Sequence, residues 1–157
     1  MSADPKRKLL IVVHPGSACG SADFNVGRHA AELARNELAA ELDAWNGDVL
    51  VIDGELSDEL DAQPWKTLGR SVRNLVERAT ENGFSARRVD ADPTDDPDQA
   101  EIAVRMLPAL GITDDDAIVV TGCWTYDDGG GCVDSVIDAL RKNGKRAELG
   151  AGAVREI

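Results

Sequence analysis

Aromatic side chains are scarce in this chain of 157 residues, at 4 %: three Trp, two Phe and one Tyr. Any core must therefore be aliphatic. Long apolar runs are missing too. The longest, Leu9–Val13, is far too short for a membrane-spanning helix or the core of a signal peptide. The chain has 17 basic side chains against 29 acidic ones, a formal net charge of −12. That deficit excludes a non-specific nucleic-acid binder, which must neutralise phosphates, and argues against docking on an anionic membrane. Cysteine occurs only three times, an odd number with no C-x-x-C pair, so a disulfide framework is not expected. These absences point to a cytoplasmic protein with reduced thiols.

Hydrophobic residues make up 43 % of the chain, enough for a core. The acid is chiefly Asp (19 Asp to 10 Glu) and the base chiefly Arg (12 Arg to 5 Lys). An Asp-rich, Lys-poor surface fits a halophilic cytoplasm, and a GC-rich genome gives a similar bias. Such charge bears on solubility and not on fold.

Strands and helices alternate along the chain. Residues 8–13 form a continuous apolar run broken by His14-Pro15-Gly16, as a buried parallel strand would be. Residues 25–45 carry Val26, Ala30, Leu33, Ala34, Leu38, Leu42 and Trp45 at helical spacing. Residues 48–53 read as a second strand. Residues 65–82 form a second helix with Leu68, Val72, Leu75, Val76 and Ala79 inward, stopped by Gly83. Residues 84–89 give a weak third strand. Asp96, Pro97 and Gln99 start a third helix, whose last turn is strained by Pro108. Residues 116–121 are a fourth strand, 132–143 a fourth helix and 145–149 a fifth strand. Residues 1–7 read as a loose tail, and residues 150–157 are ambiguous. The expectation is one domain over residues 1–157: a three-layer, Rossmann-like α/β fold with a mainly parallel sheet of about five strands.

Ligands of such sheets bind beyond the carboxyl ends of the strands, where strand order reverses. The segments to inspect are therefore 14–23, after the first strand, and 122–132, after the fourth. Together they hold all three Cys, His14, Trp124, Tyr126 and six of the 15 Gly. Cys132 follows Gly129-Gly130-Gly131 and opens a helix, where the helix dipole and exposed N–H groups favour a thiolate. The amides of Gly131 and Cys132 suit an oxyanion hole. A half-buried packing thiol is the plainer reading of the same position.

Residues 111–154 resemble the core of the isochorismatase-like cysteine hydrolases, which include nicotinamidases. The likeness lies in a strand ending Val-Thr-Gly (Val120-Thr121-Gly122), a short loop, and a Cys at the start of a small-residue-rich helix. It implies that Cys132 is a nucleophile acting on a small amide, ester or related substrate. The family's general base is an Asp at the end of the first strand, where His14 stands. Its Lys near the end of the third strand is missing from Ala86-Arg87-Arg88-Val89-Asp90. His14 or Asp23 would then move protons, Trp124 and Tyr126 would wall the substrate, and Arg88 would bind a substrate carboxylate. The missing Lys favours the alternative, a scaffold that lost its chemistry and serves in small-ligand or anion binding or in oligomerisation.

No cofactor is expected. Zinc on His14, Cys19, Cys123 and Cys132 is a weaker reading without a motif spacing. Expected partners are a small-molecule substrate and a second copy of the chain, with no nucleic acid and no membrane. Asp127-Asp128 are the only adjacent acidic residues expected near a ligand. The clusters at residues 92–98 and 114–116 read as solvated caps and turns.

Overall fold

A computed structural model describes residues 8–16, 28–53, 66–90, 99–113, 116–125 and 131–155 of the chain. The first strand, β1 (Lys8–Val13), shows why its sequence does not alternate. Leu9, Ile11 and Val13 enter one core and Leu10 and Val12 another, all 0 % exposed. A strand buried on both faces must be apolar throughout. The chain continues through α1 (Arg28–Ala44), β2 (Asp48–Asp53), α2 (Lys66–Glu81), β3 (Ala86–Asp90) and α3 (Gln99–Ala109). It then runs through β4 (Ala117–Thr125), α4 (Cys132–Lys142), β5 (Arg146–Leu149) and β6 (Val154–Arg155).

Every strand pair among them is parallel, and the order is β3-β2-β1-β4-β5. Helices α1 and α2 cover one face through Leu38, Leu42, Leu68, Val72 and Leu75. Helices α3 and α4 cover the other through Ala103, Leu107, Val133, Val136 and Leu140. The three-layer parallel α/β architecture expected from sequence is the one observed. Strand order reverses between β1 and β4, so the loops singled out above do leave adjacent strands. Among the described residues, no helix is long and apolar enough to cross a membrane.

Helix ends follow local chemistry. Gly83 has φ +82°, its N–H donates to the Thr80 carbonyl, and the Phe84 N–H donates to Ala79. This is the left-handed stop its position predicted. At the end of α1, the Arg78 guanidinium of α2 donates to the carbonyls of Leu42 and Trp45, at 2.9 and 3.0 Å. A cation there satisfies orphan carbonyls and meets the negative end of the helix. Pro108 stays inside α3, and the helix closes with the Ile112 N–H on the Leu107 carbonyl. Asp116 is a buried turn cap, its carboxylate accepting the Thr113 N–H at 2.7 Å.

Two local expectations need correction. Leu33 does not face the core; it is 50 % exposed. It lies on the face of α1 that continues through Glu37, Glu41 and Trp45, whereas Leu38 and Leu42 take the inward face. Strand β4 does not stop at Thr121 but runs on to Thr125. Its extension is held by β6, which pairs Val154 with Cys123 and Arg155 with Thr125. Thus β5 and β6 lie in line along β4, separated by a tight turn at residues 150–153.

Candidate functional site

At the reversal of strand order, the backbone takes two left-handed conformations on adjacent strands. His14, the residue after β1, has φ +44° and donates its N–H to the Ile52 carbonyl of β2 at 2.8 Å. Gly122, paired with Val13, has φ +111°. A Cβ at Gly122 would overlap the Val13 backbone, lying 2.6 Å from its nitrogen and nearer still to its oxygen. Only glycine lets β4 pass the end of β1 this closely. A non-glycine residue held at positive φ is strained by about 1–3 kcal/mol, and such strain clusters at functional sites. The half-buried ring of His14 therefore sits at an over-determined point of the fold.

At the carboxyl end of β2, Asp53 is 8 % exposed. Arg88 of β3 reaches it diagonally across the sheet, with Nε donating to Oδ2 at 2.6 Å and an Nη to Oδ1 at 3.1 Å. This two-point fork is the strongest geometry for a guanidinium on a carboxylate. It commits two of the five N–H donors of Arg88 to Asp53. Each carboxylate oxygen keeps one further acceptor direction.

Around β4 the chain aims a third group. Strand β4 is irregular between Cys123 and Thr125, which turns the Thr125 hydroxyl toward α4. That hydroxyl donates to Oδ1 of Asp134 at 2.8 Å, while Asp134 Oδ2 accepts the Gly131 N–H at 3.1 Å. Asp134 is the third residue of α4, so its charge already meets the positive end of that helix. The Gly131 amide expected in an oxyanion hole is therefore engaged. Replacing Asp134 by alanine frees the Gly131 N–H and the Thr125 hydroxyl together. The expected loss is about 1–2 kcal/mol of stability, read from the denaturant midpoint, with Asn recovering part of it.

Cys132, at the first position of α4, is half-buried against the core beneath α3 and α4. Cys123 is fully buried in the core beneath α1 and α2. The two thiols thus belong to opposite faces of the sheet and do not converge as zinc ligands would. Among the described residues, no group of three or more His, Cys, Asp or Glu is placed to hold a metal ion. Asp23, Cys19, Tyr126 and Asp127-Asp128 lie outside the described residues, as does the side chain of Trp124. Asp53 was not among the candidate site residues chosen from sequence. An acidic residue closing the second strand of a doubly wound sheet was the signal available.

No protein-family model matches the chain, and no curated protein does. Among solved structures it is similar to a protein from the universal stress protein family from Burkholderia pseudomallei. Identity is 18 % over 90 % of this chain and 94 % of that one, with a TM-score of 0.36. The resemblance to isochorismatase-like cysteine hydrolases is corrected by these comparisons, since no family model, that one included, matches the chain. The cysteine-hydrolase function falls with it, and its alternative, an inactive scaffold of that family, has no specific support. The physical reason is local: Val-Thr-Gly followed by a Cys-headed helix is what any parallel strand, glycine crossing and helix start will produce.

Proposed function

We propose that the protein is a binding domain for a ribose-bearing small molecule, a nucleoside or nucleotide, seated where strand order reverses between β1 and β4. The observation that carries this reading is Asp53, a nearly buried carboxylate at the carboxyl end of β2, clamped by Arg88 and retaining acceptor capacity. In doubly wound sheets an acidic group at that place receives ribose hydroxyls. The clamp fixes the carboxylate before the ligand arrives, which lowers the ordering cost of binding. The neighbouring His14 ring supplies a second polar group at the same edge. Asp134 already compensates the positive end of α4, so the reading places ribose hydroxyls and not phosphate as the anchor. A reduced, cytoplasmic setting fits Cys123 and Cys132, both of which are thiols.

Calorimetric titration with the four ribonucleoside 5′-monophosphates, their nucleosides and their 2′,3′-dideoxy analogues tests the reading. Saturable binding of at least one ribose form is expected, weakened about tenfold or more by loss of the sugar hydroxyls. Equal affinity for ribose and dideoxyribose forms, or no binding of any, would overturn it. Nucleosides binding as tightly as nucleotides would identify the sugar as the anchor.

A further inference from the structure

A second concave site lies away from the residues just described, on the outer face of α1. Along this helix Leu33, Glu37, Glu41 and Trp45 recur every four residues and so share one face. Between Glu37 and Trp45 the small side chains of Ala40 and Ala44 leave a groove of about 510 Å³. Its far wall is the turn between β5 and β6, at Ala151 and Gly152. The groove is therefore lined mainly by small apolar groups, two carboxyl side chains and one indole.

Glu41 is the unusual member. Its Oε1 is buried and has no hydrogen-bond partner among the described residues. The turn at residues 150–152 is shaped around it. A Cβ at Gly150 would lie 2.6 Å from Glu41 Oε2, and one at Gly152 would lie 3.0 Å from Oε1. Behind Gly150 stands Thr121 of β4, 0 % exposed, whose Oγ1 is also buried without a partner among the described residues. Thr121 Cβ lies 2.8 Å from the same Gly150 Cβ position. A buried carboxylate oxygen without a partner among the described residues departs from the general rule that buried polar groups are hydrogen-bonded. A carboxylate oxygen only accepts, so what Glu41 Oε1 lacks is a donor.

We propose that this groove binds a primary organic ammonium carrying an apolar body. An ammonium brings three N–H donors and a positive charge. It answers the Glu41 carboxylate, and Glu37, one helical turn away, adds to the attraction. The apolar body lies over Ala40, Ala44 and the Trp45 ring, whose face also attracts cations. The indole N–H is turned away, donating to the Asp48 carbonyl at 3.0 Å, which fixes the ring as a wall. The exposed Leu33 extends the same face for a longer apolar tail. An anion is excluded by the two carboxyl groups. A neutral apolar ligand would leave Glu41 Oε1 without a donor.

Benzylammonium chloride is the probe, with benzyl alcohol as its neutral counterpart, each titrated into the intact protein by chemical-shift mapping of backbone amides. Saturable shifts confined to Glu37–Trp45 and Gly150–Ala153 are expected for benzylammonium, with an affinity of roughly millimolar order. Glu41→Gln should weaken binding about tenfold or more. Ala44→Leu, which fills the groove with a good helix former on an exposed surface, should abolish it while leaving the amide spectrum folded. Equal response to benzyl alcohol, undiminished binding in Glu41→Gln, or no saturable shift in the folded wild-type protein would each overturn the proposal.

Discussion

Gly122→Ala is expected to destabilise the fold by roughly 4 kcal/mol, a drop in Tm of about 10 °C or more for a chain of this length. Two costs combine. Gly122 has φ +111°, a conformation that an L side chain rarely adopts. Its Cβ would also overlap Val13, and the obstacle is backbone in the central strand pair, which cannot move aside as a side-chain tip can. Gly83→Ala separates the two contributions. Gly83 is likewise left-handed, at φ +82°, but a Cβ there meets nothing within 4 Å. Its replacement should cost only about 1 kcal/mol, the conformational part alone. Thermal unfolding of both variants checks the comparison. Similar losses at the two positions would mean that β4 can shift away from β1, and that the closeness of this crossing does not define the site.

How far the fold could be read from sequence depends on whether the deciding contact is local. Strand β1 and strand β2 were legible to the residue, because a run of aliphatic residues ended by a turn signal admits few alternatives. The stop of α2 at Gly83 was legible for the same reason. The extension of β4 was not. Gly122, Cys123 and Thr125 carry no strand signal of their own; their partner is β6, some thirty residues later in the chain. Leu33 was misplaced because apolar residues at helical spacing fit two adjacent faces of α1, and only packing against β4 and α2 selects the one that holds Leu38 and Leu42.

The site shows the same limit more sharply. Sequence placed the two candidate loops after adjacent strands, as the structure has them, since strand order follows from alternation and the carboxyl-end rule follows from strand order. It then weighted the residues by reactivity and chose Cys132. What the structure adds is which polar groups are already spoken for. Arg88 was expected to meet a ligand and instead grips Asp53; the Gly131 amide was expected to hold an oxyanion and instead holds Asp134. Such pairings join residues 35 and 3 positions apart with equal ease, and a pattern of residue types cannot distinguish them from free groups. Glu41 is the converse case. Nothing in its sequence context singles it out, and its setting is defined only once Gly150, Gly152 and Thr121 are placed around it.

The clamp on Asp53 separates support from recognition. Arg88→Met should cost about 3 kcal/mol, because it leaves a nearly buried carboxylate without its counter-charge. The Arg88 side chain is 33 % exposed, so water partly relieves that cost and the value lies at the low end for buried pairs. Removing both charges in Asp53→Leu/Arg88→Met should recover much of the loss, since no unpaired charge then remains and the sheet gains an apolar contact. Urea unfolding of the two single variants, the double variant and the parent gives a coupling free energy, expected near 2 kcal/mol. A coupling close to zero would mean that the fork contributes nothing to the fold. Ligand binding should follow a different order. Ribose binding should be weakened in Arg88→Met, where the carboxylate is present but no longer held, and lost in the double variant despite its recovered stability. If the double variant binds ribonucleosides as the parent does, Asp53 is only a structural partner of Arg88 and the binding assignment fails, while the stability cycle stands unchanged.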